Sequence, residues 1–206
     1  MSLLRSWFGG PSAAAEIARI NRRRAELAKA GVAGSGEASS EALRDAFRNS
    51  KDLAETVAIV SVVAARAVGM EMFDVQLQGA LALGRGRVAE MQTGEGKTLA
   101  CTPAVAWYAR EGRGVHVMTV NDYLARRDAQ WMGAIYEFLG LTVGCIQQTM
   151  SADQRRHAYS CDITYATANE IGFDFLRDQL ALRLEDQVHR PFQAAVIDEA
   201  DSILID

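Results

Sequence analysis

The stretch Val88-Ala89-Glu90-Met91-Gln92-Thr93-Gly94-Glu95-Gly96-Lys97-Thr98 decides the fold. It reads as a short buried strand, a turn with two glycines, and Gly-Lys-Thr opening a helix, which is the form of a phosphate-binding P-loop. Gly94 and Gly96 lack side chains, so the backbone can curl and aim several N–H groups at one anion. Glu95 sits between them in the same loop. The helix beginning near Gly96 adds its unpaired N–H groups and the positive end of its dipole. Lys97 can reach the β- and γ-phosphates, and the Thr98 hydroxyl can ligand Mg²⁺. Met91 stands where the pattern G-x-x-x-x-G-K-[ST] has its first glycine. A chance Gly-rich turn before Lys-Thr is the plainer alternative; the strand before it and the helix after it argue against that.

Working outward, 206 residues suffice for one large α/β domain or a domain with a helical appendage. Hydrophobic residues make up 49% and charged residues 23%, as in a soluble globular chain. The net charge of −4 gives no global positive field and speaks against nucleic acid as a partner. Cys101, Cys145 and Cys161 are far apart and form no C-x-x-C, which points to a reducing compartment without structural zinc. No apolar run reaches membrane-spanning length. The N-terminus lacks the long apolar core of a secretory signal. Leu3, Leu4, Trp7 and Phe8 could dip into a membrane surface, although a frayed end packed on the domain is the simpler expectation.

From the N-terminus, Pro11 and Ser12 predict a helix to about residue 30, with Ile17, Ile20 and Leu27 on one face. Residues 33–40 read as a flexible link. Ser40 can cap a helix to about residue 49, and Ser50 another to about residue 68. The arginines here fit a solvated or docking face better than a nucleic-acid grip. From Met70 the texture changes. Expected strands at 88–91, 115–120, 142–146, 163–166 and 194–197 alternate with helical stretches to 110 and at 122–139, 152–159 and 169–181. That alternation predicts βαβ crossovers and a mostly parallel sheet covered by helices. Pro103 is expected to bend the helix after the P-loop. The predicted organisation is a helical segment at 1–69 and a nucleotide-binding domain at 70–206.

A second motif lies in Ala195-Val-Ile-Asp-Glu-Ala-Asp201. A buried strand delivers Asp198 and Glu199 at its carboxyl end, where ligands bind in open α/β sheets. Phosphoryl transfer needs a metal bridging the β and γ oxygens and a group orienting the attacking water. Asp198 fits the first need, acting through water on Mg²⁺. Glu199 fits the second. Asp-Glu-Ala-Asp also spells the DEAD box of two-lobed motor ATPases. Gln76 lies twenty residues before Gly96, a spacing at which such motors read the adenine edge; an amide can both donate to and accept from adenine.

The segments Phe73-Asp-Val-Gln-Leu, Ala89-Glu-Met-Gln-Thr-Gly-Glu-Gly-Lys-Thr-Leu and Val117-Met-Thr-Val-Asn-Asp-Tyr-Leu-Ala-Arg-Arg-Asp closely resemble the SecA family. So do Ile163-Thr-Tyr-Ala-Thr-Ala-Asn-Glu-Ile-Gly-Phe-Asp-Phe-Leu-Arg-Asp and Val196-Ile-Asp-Glu-Ala-Asp-Ser-Ile-Leu-Ile-Asp. SecA is the ATPase that drives secretory proteins through the SecYEG channel of bacteria. The resemblance is dense over 70–206 and loose before it. Most housekeeping members have Val where Ala200 stands. That residue, the short divergent N-terminal part and the Ala/Arg/Gly-rich usage look more like the accessory second SecA of actinobacteria.

The resemblance implies a RecA-like lobe that binds ATP with Mg²⁺. Gln76 would contact adenine, Gly94, Glu95, Gly96, Lys97 and Thr98 would form the phosphate loop, and Asp198 and Glu199 would serve Mg²⁺ and water. Arg127 matches a family position at the nucleotide cleft, and Asn121 or Asp122 would cap the helix there. His116, His157 and His189 match no catalytic pattern and read as structural. The implied setting is the cytoplasm, peripheral at the inner face of the bacterial cell membrane. SecYEG and preproteins are the implied partners, with an acidic lipid surface and homodimerisation of the full-length protein as further expectations.

The stretch resembles an amino-terminal fragment of the motor, without the second lobe that supplies a transition-state arginine. Loss of such an arginine typically costs about 10³–10⁵ in rate, so weak or absent hydrolysis is expected of it alone. Two other readings remain open: a DEAD-box RNA helicase lobe, and a nucleotide-binding module without turnover. The Asn121-Asp-Tyr-Leu stretch and the acidic balance disfavour the helicase.

Overall fold

A computed structural model describes residues 12–29 and 39–204. Leu3, Leu4, Trp7, Phe8, Pro11 and most of the expected link lie outside the described residues. The chain opens with α1 (Ala13–Lys29), α2 (Ser40–Arg48) and α3 (Leu53–Ala67). Ile17, Ile20 and Leu27 of α1 are buried, as their spacing predicts. In α3 eleven of fifteen residues are buried, so most of this helix is enclosed on all sides and it forms the centre of the helical layer. Helices α1, α2 and α3 share one hydrophobic core with the α/β part.

Two expected caps shift. Ser39, not Ser40, caps α2 by accepting from the Ala42 N–H. Asp52, not Ser50, caps α3, its Oδ1 accepting from the Glu55 N–H at 3.0 Å. Ser50 is instead buried, 2.8 Å from the Thr56 hydroxyl and 2.6 Å from the Arg110 guanidinium, a partner sixty positions away.

Next come α4 (Asp74–Gly84), α5 (Lys97–Ala109), β1 (Val115–Thr119), α6 (Asp122–Phe138) and β2 (Val143–Cys145). The chain continues with α7 (Ala152–Ser160), β3 (Ile163–Thr167), α8 (Ala168–Leu180), a 3-10 turn (Leu184–Asp186), β4 (Ala194–Ile197) and α9 (Ala200–Leu204). Helix α4, which carries Gln76, is absent from the sequence-based expectation. The four described strands are parallel in the order β2-β3-β1-β4. Alternate residues of β1 serve opposite faces, as the pleat demands. Val115 and Val117 join the core shared by α3, α5 and α6, while Met118 packs on the second core of Ile146, Ala158, Tyr159, Ala166, Ile171 and Val188.

One expected strand is corrected. Residues 88–91 form no ladder, and Val88 is 92% exposed rather than buried. Extended backbone becomes a strand only when its N–H and C=O groups pair with a neighbour. Among the described residues the sheet ends at β4, so this segment finds no such partner.

Candidate functional site

The candidate phosphate loop is built by local rules. The Glu95 N–H donates to the Gln92 carbonyl at 3.2 Å, closing the turn Gln92-Thr93-Gly94-Glu95. Gly94, its third residue, has φ +89°, the positive value a type II turn requires there. The Gln92 N–H donates back to the Glu95 carboxylate at 2.8 Å. Gly96 follows at φ +76°, ψ +47° as the N-cap of α5, so no side chain occupies the approach to the helix amides. Lys97 is exposed and enters none of the ion pairs among the described residues. Helix α5 runs unbroken past the buried Pro103.

Gln76 lies against this loop. Its Nε2 donates to the Glu95 carbonyl at 2.9 Å, and its Oε1 accepts from the Phe73 N–H at 2.9 Å. A Cβ on Gly96 would come within 2.4 Å of that Nε2. Gln76 is 7% exposed, and each amide atom keeps one further hydrogen-bonding position beyond these contacts.

The carboxylates come from β4. The Asp198 N–H donates to the Met118 carbonyl at 2.9 Å, carrying the β1–β4 ladder one residue further. Asp198 Oδ1 accepts the Glu199 N–H at 2.9 Å. Glu199 then turns left-handed at φ +51°, the one described non-glycine residue with positive φ, and its carbonyl accepts the Ser202 N–H of α9. Such a conformation costs roughly 1 kcal/mol or more, and it ends the strand abruptly beside two acids.

Cys101 joins the two halves. One turn after Thr98 on α5, its thiol donates to the Thr98 carbonyl at 3.1 Å. Burial, reinforced by the negative fields of Asp198 and Asp128, pushes that thiol well above its ordinary value, keeping it neutral. Helix α5 packs against both β4, which leads into Asp198, and α6, which carries Asp128. Asp128 is itself raised by burial, partly offset by Arg127, with Asp198 adding to the rise. Arg127 holds Asp128 through Nε and Nη2, both 2.8 Å from Oδ1. Asn121, the cap of α6, accepts the Leu124 N–H at 2.8 Å, while Asp122 accepts the Gln148 N–H at 3.2 Å.

The structure thus joins Gln76, Glu95 and Gly96 by direct contact. Thr98, Arg127 and Asp198 are linked through Cys101 and Asp128, two residues the sequence reading did not single out. Asp128 carried a faint signal, an acid directly after Arg126 and Arg127; Cys101 carried none. His116 and His189 belong to an aromatic group with Tyr159 and Phe192.

The described residues contain no group of three or more His, Cys, Asp or Glu able to hold a metal ion. An all-protein metal cage is thereby absent among them. One hydroxyl and one carboxylate, Thr98 and Asp198, are nonetheless the sparse hard-oxygen set that suits Mg²⁺ shared with phosphate oxygens and water. No described helix is long and apolar enough to cross a membrane.

Residues 11–206 match the family model described as SecA DEAD-like domain. The chain is 59% identical over 154 residues to a protein translocase subunit SecA of Prochlorococcus marinus (strain MIT 9313), covering 75% of this chain and 16% of that relative. It is 58% identical over 156 residues to that of Chromohalobacter salexigens, covering 76% and 17%. For Thermosynechococcus vestitus the figures are 56% over 154 residues, 75% and 17%. The matched stretch is thus about a sixth of each relative's length. The match over nearly the whole chain, on an α/β lobe with this loop and these acids, shows that the chain belongs to the SecA DEAD-like domain family.

Proposed function

We propose that this chain is the ATP-binding part of a SecA-type protein translocase, in which ATP hydrolysis drives preproteins through the SecYEG channel at the inner face of the bacterial cell membrane. The observation that carries the proposal is the candidate phosphate loop: a type II turn and a glycine-capped helix leave the amides of Gly94, Gly96, Lys97 and Thr98 and the Lys97 ammonium open to a polyphosphate, the Glu95 N–H being spent on closing the turn.

In this reading the loop amides and Lys97 hold the β- and γ-phosphates. Gln76, anchored on the Glu95 carbonyl, uses its remaining donor and acceptor positions on the adenine edge. Mg²⁺, when bound with the nucleotide, would supply positive charge to offset that of the phosphates. Thr98 and Asp198 would hold it, Asp198 through water. Glu199, at the sharp end of β4, orients the attacking water and accepts its proton. Arg127, fixed by Asp128, contributes positive charge at the edge of the cleft.

Titration with a fluorescent ADP analogue in Mg²⁺ tests this reading. The expected result is one site per chain from which ATP displaces the analogue and to which RNA is indifferent. Hydrolysis stimulated by RNA, or no displacement by ATP, would contradict it.

A further inference from the structure

We infer that Glu95 is a positioning residue: its carboxylate latches the phosphate loop into its nucleotide-ready shape before any nucleotide arrives. The inference rests on the nucleotide-binding reading above. All three polar groups of Glu95 are engaged in holding the loop. Its N–H reaches the Gln92 carbonyl at 3.2 Å, its carboxylate takes the Gln92 N–H at 2.8 Å, and its carbonyl takes Gln76 Nε2 at 2.9 Å. The first two bonds run in opposite directions between the same two residues, so the turn is closed twice.

The turn needs this second closure. Thr93 and Gly94 are exposed, and nothing lies within 4 Å of where a Gly94 Cβ would stand. Packing therefore does not fix the loop there, and glycine loses more backbone freedom on ordering than any other residue. A charge-assisted bond across the turn offsets part of that loss. The same bond ties up a negative group that would otherwise be free beside an incoming polyphosphate. Preformed loops bind more tightly because less ordering remains to be done on binding.

Two substitutions separate the latch from the charge. Glu95→Ala removes both; Glu95→Gln keeps an oxygen that can accept the Gln92 N–H. Amide hydrogen exchange at Gln92 is followed in the nucleotide-free protein, alongside titration with a fluorescent ADP analogue. The expected result is faster exchange at Gln92 and about tenfold weaker binding in Glu95→Ala, the worth of one hydrogen bond to a charged group. Glu95→Gln should restore the slow exchange and bind within about twofold of the parent. Unchanged exchange in Glu95→Ala, unchanged or tighter binding despite faster exchange, or a Gln variant as weak as the Ala variant would each overturn the inference. Should the parent chain bind no nucleotide, the functional reading fails, while the exchange contrast still decides whether the latch exists.

Discussion

The Gln76 side-chain amide donates to the Glu95 carbonyl at 2.9 Å, so the helix that carries the expected base reader is fastened to the loop expected to carry the phosphates. Gln76 also reaches back to the Phe73 N–H, satisfying one of the unpaired amides at the start of α4. Gln76→Ala should therefore weaken ADP binding by about tenfold, the worth of one or two such bonds. It should also narrow the preference for ADP over GDP, measured by competition titration. A variant that binds more weakly yet keeps its full base preference would assign Gln76 to the loop alone.

Arg155 holds the far side of the sheet together. Its guanidinium pairs with Asp174 at 2.8 Å and Glu170 at 2.7 Å, and donates to the carbonyls of Gln147, Gln148 and Met150. Arg155 and Asp174 are 5% and 1% exposed. Removing one member of a buried pair strands the other, at about 3–5 kcal/mol. Arg155→Met should cost about 3 kcal/mol in urea denaturation, the lower end because Arg177 and Tyr159 also bind Asp174.

Acid should loosen the fold through His116. Burial, with help from His189 and Arg190, lowers its pKa from 6.5 to about 4, so it is neutral in the folded chain. As pH falls through 6.5 the unfolded chain takes up a proton that the folded chain refuses until about pH 4. Stability is therefore lost across that window, by up to about 3 kcal/mol from this group. Urea midpoints at pH 7 and pH 5 should drop less for His116→Leu than for the parent.

Two glycines should respond oppositely to alanine. A Cβ on Gly144 of β2 would stand 2.4 Å from the Ala158 carbonyl oxygen and 2.8 Å from its Cα, both backbone atoms of α7. One on Gly172 of α8 meets nothing within 4 Å. Gly144→Ala should cost more than about 2 kcal/mol through forced backbone shifts, whereas Gly172→Ala should raise stability by about 1 kcal/mol through helix propensity. Thermal melts of the two variants check both signs.

The parallel sheet was legible because short apolar runs between helical stretches have one economical arrangement, and β4 falls where its apolar run begins and ends, although only Val196 of it is buried rather than the whole strand. The tight turn at residues 92–95 was legible because its bonds close within four residues. Other features depend on partners remote in sequence. Ser50 looks like a cap until Arg110 and Thr56 claim its hydroxyl. Residues 88–91 look like a strand until the sheet ends before reaching them. Helix α4 announces its start weakly, because Phe73 at its N-cap offers no capping side chain, although Leu77, Ala80 and Leu81 carry a buried helical face. The packing of α5 against β4 and α6 is tertiary, and no spacing announces it.

The most direct test is the affinity of Lys97→Ala for a fluorescent ADP analogue with Mg²⁺, with circular dichroism confirming that the fold is kept. If main-chain amides and one ammonium hold a polyphosphate at residues 94–98, the parent binds and the variant binds about 10- to 100-fold more weakly. Equal affinity in the two proteins would mean that the phosphates do not lie at this loop.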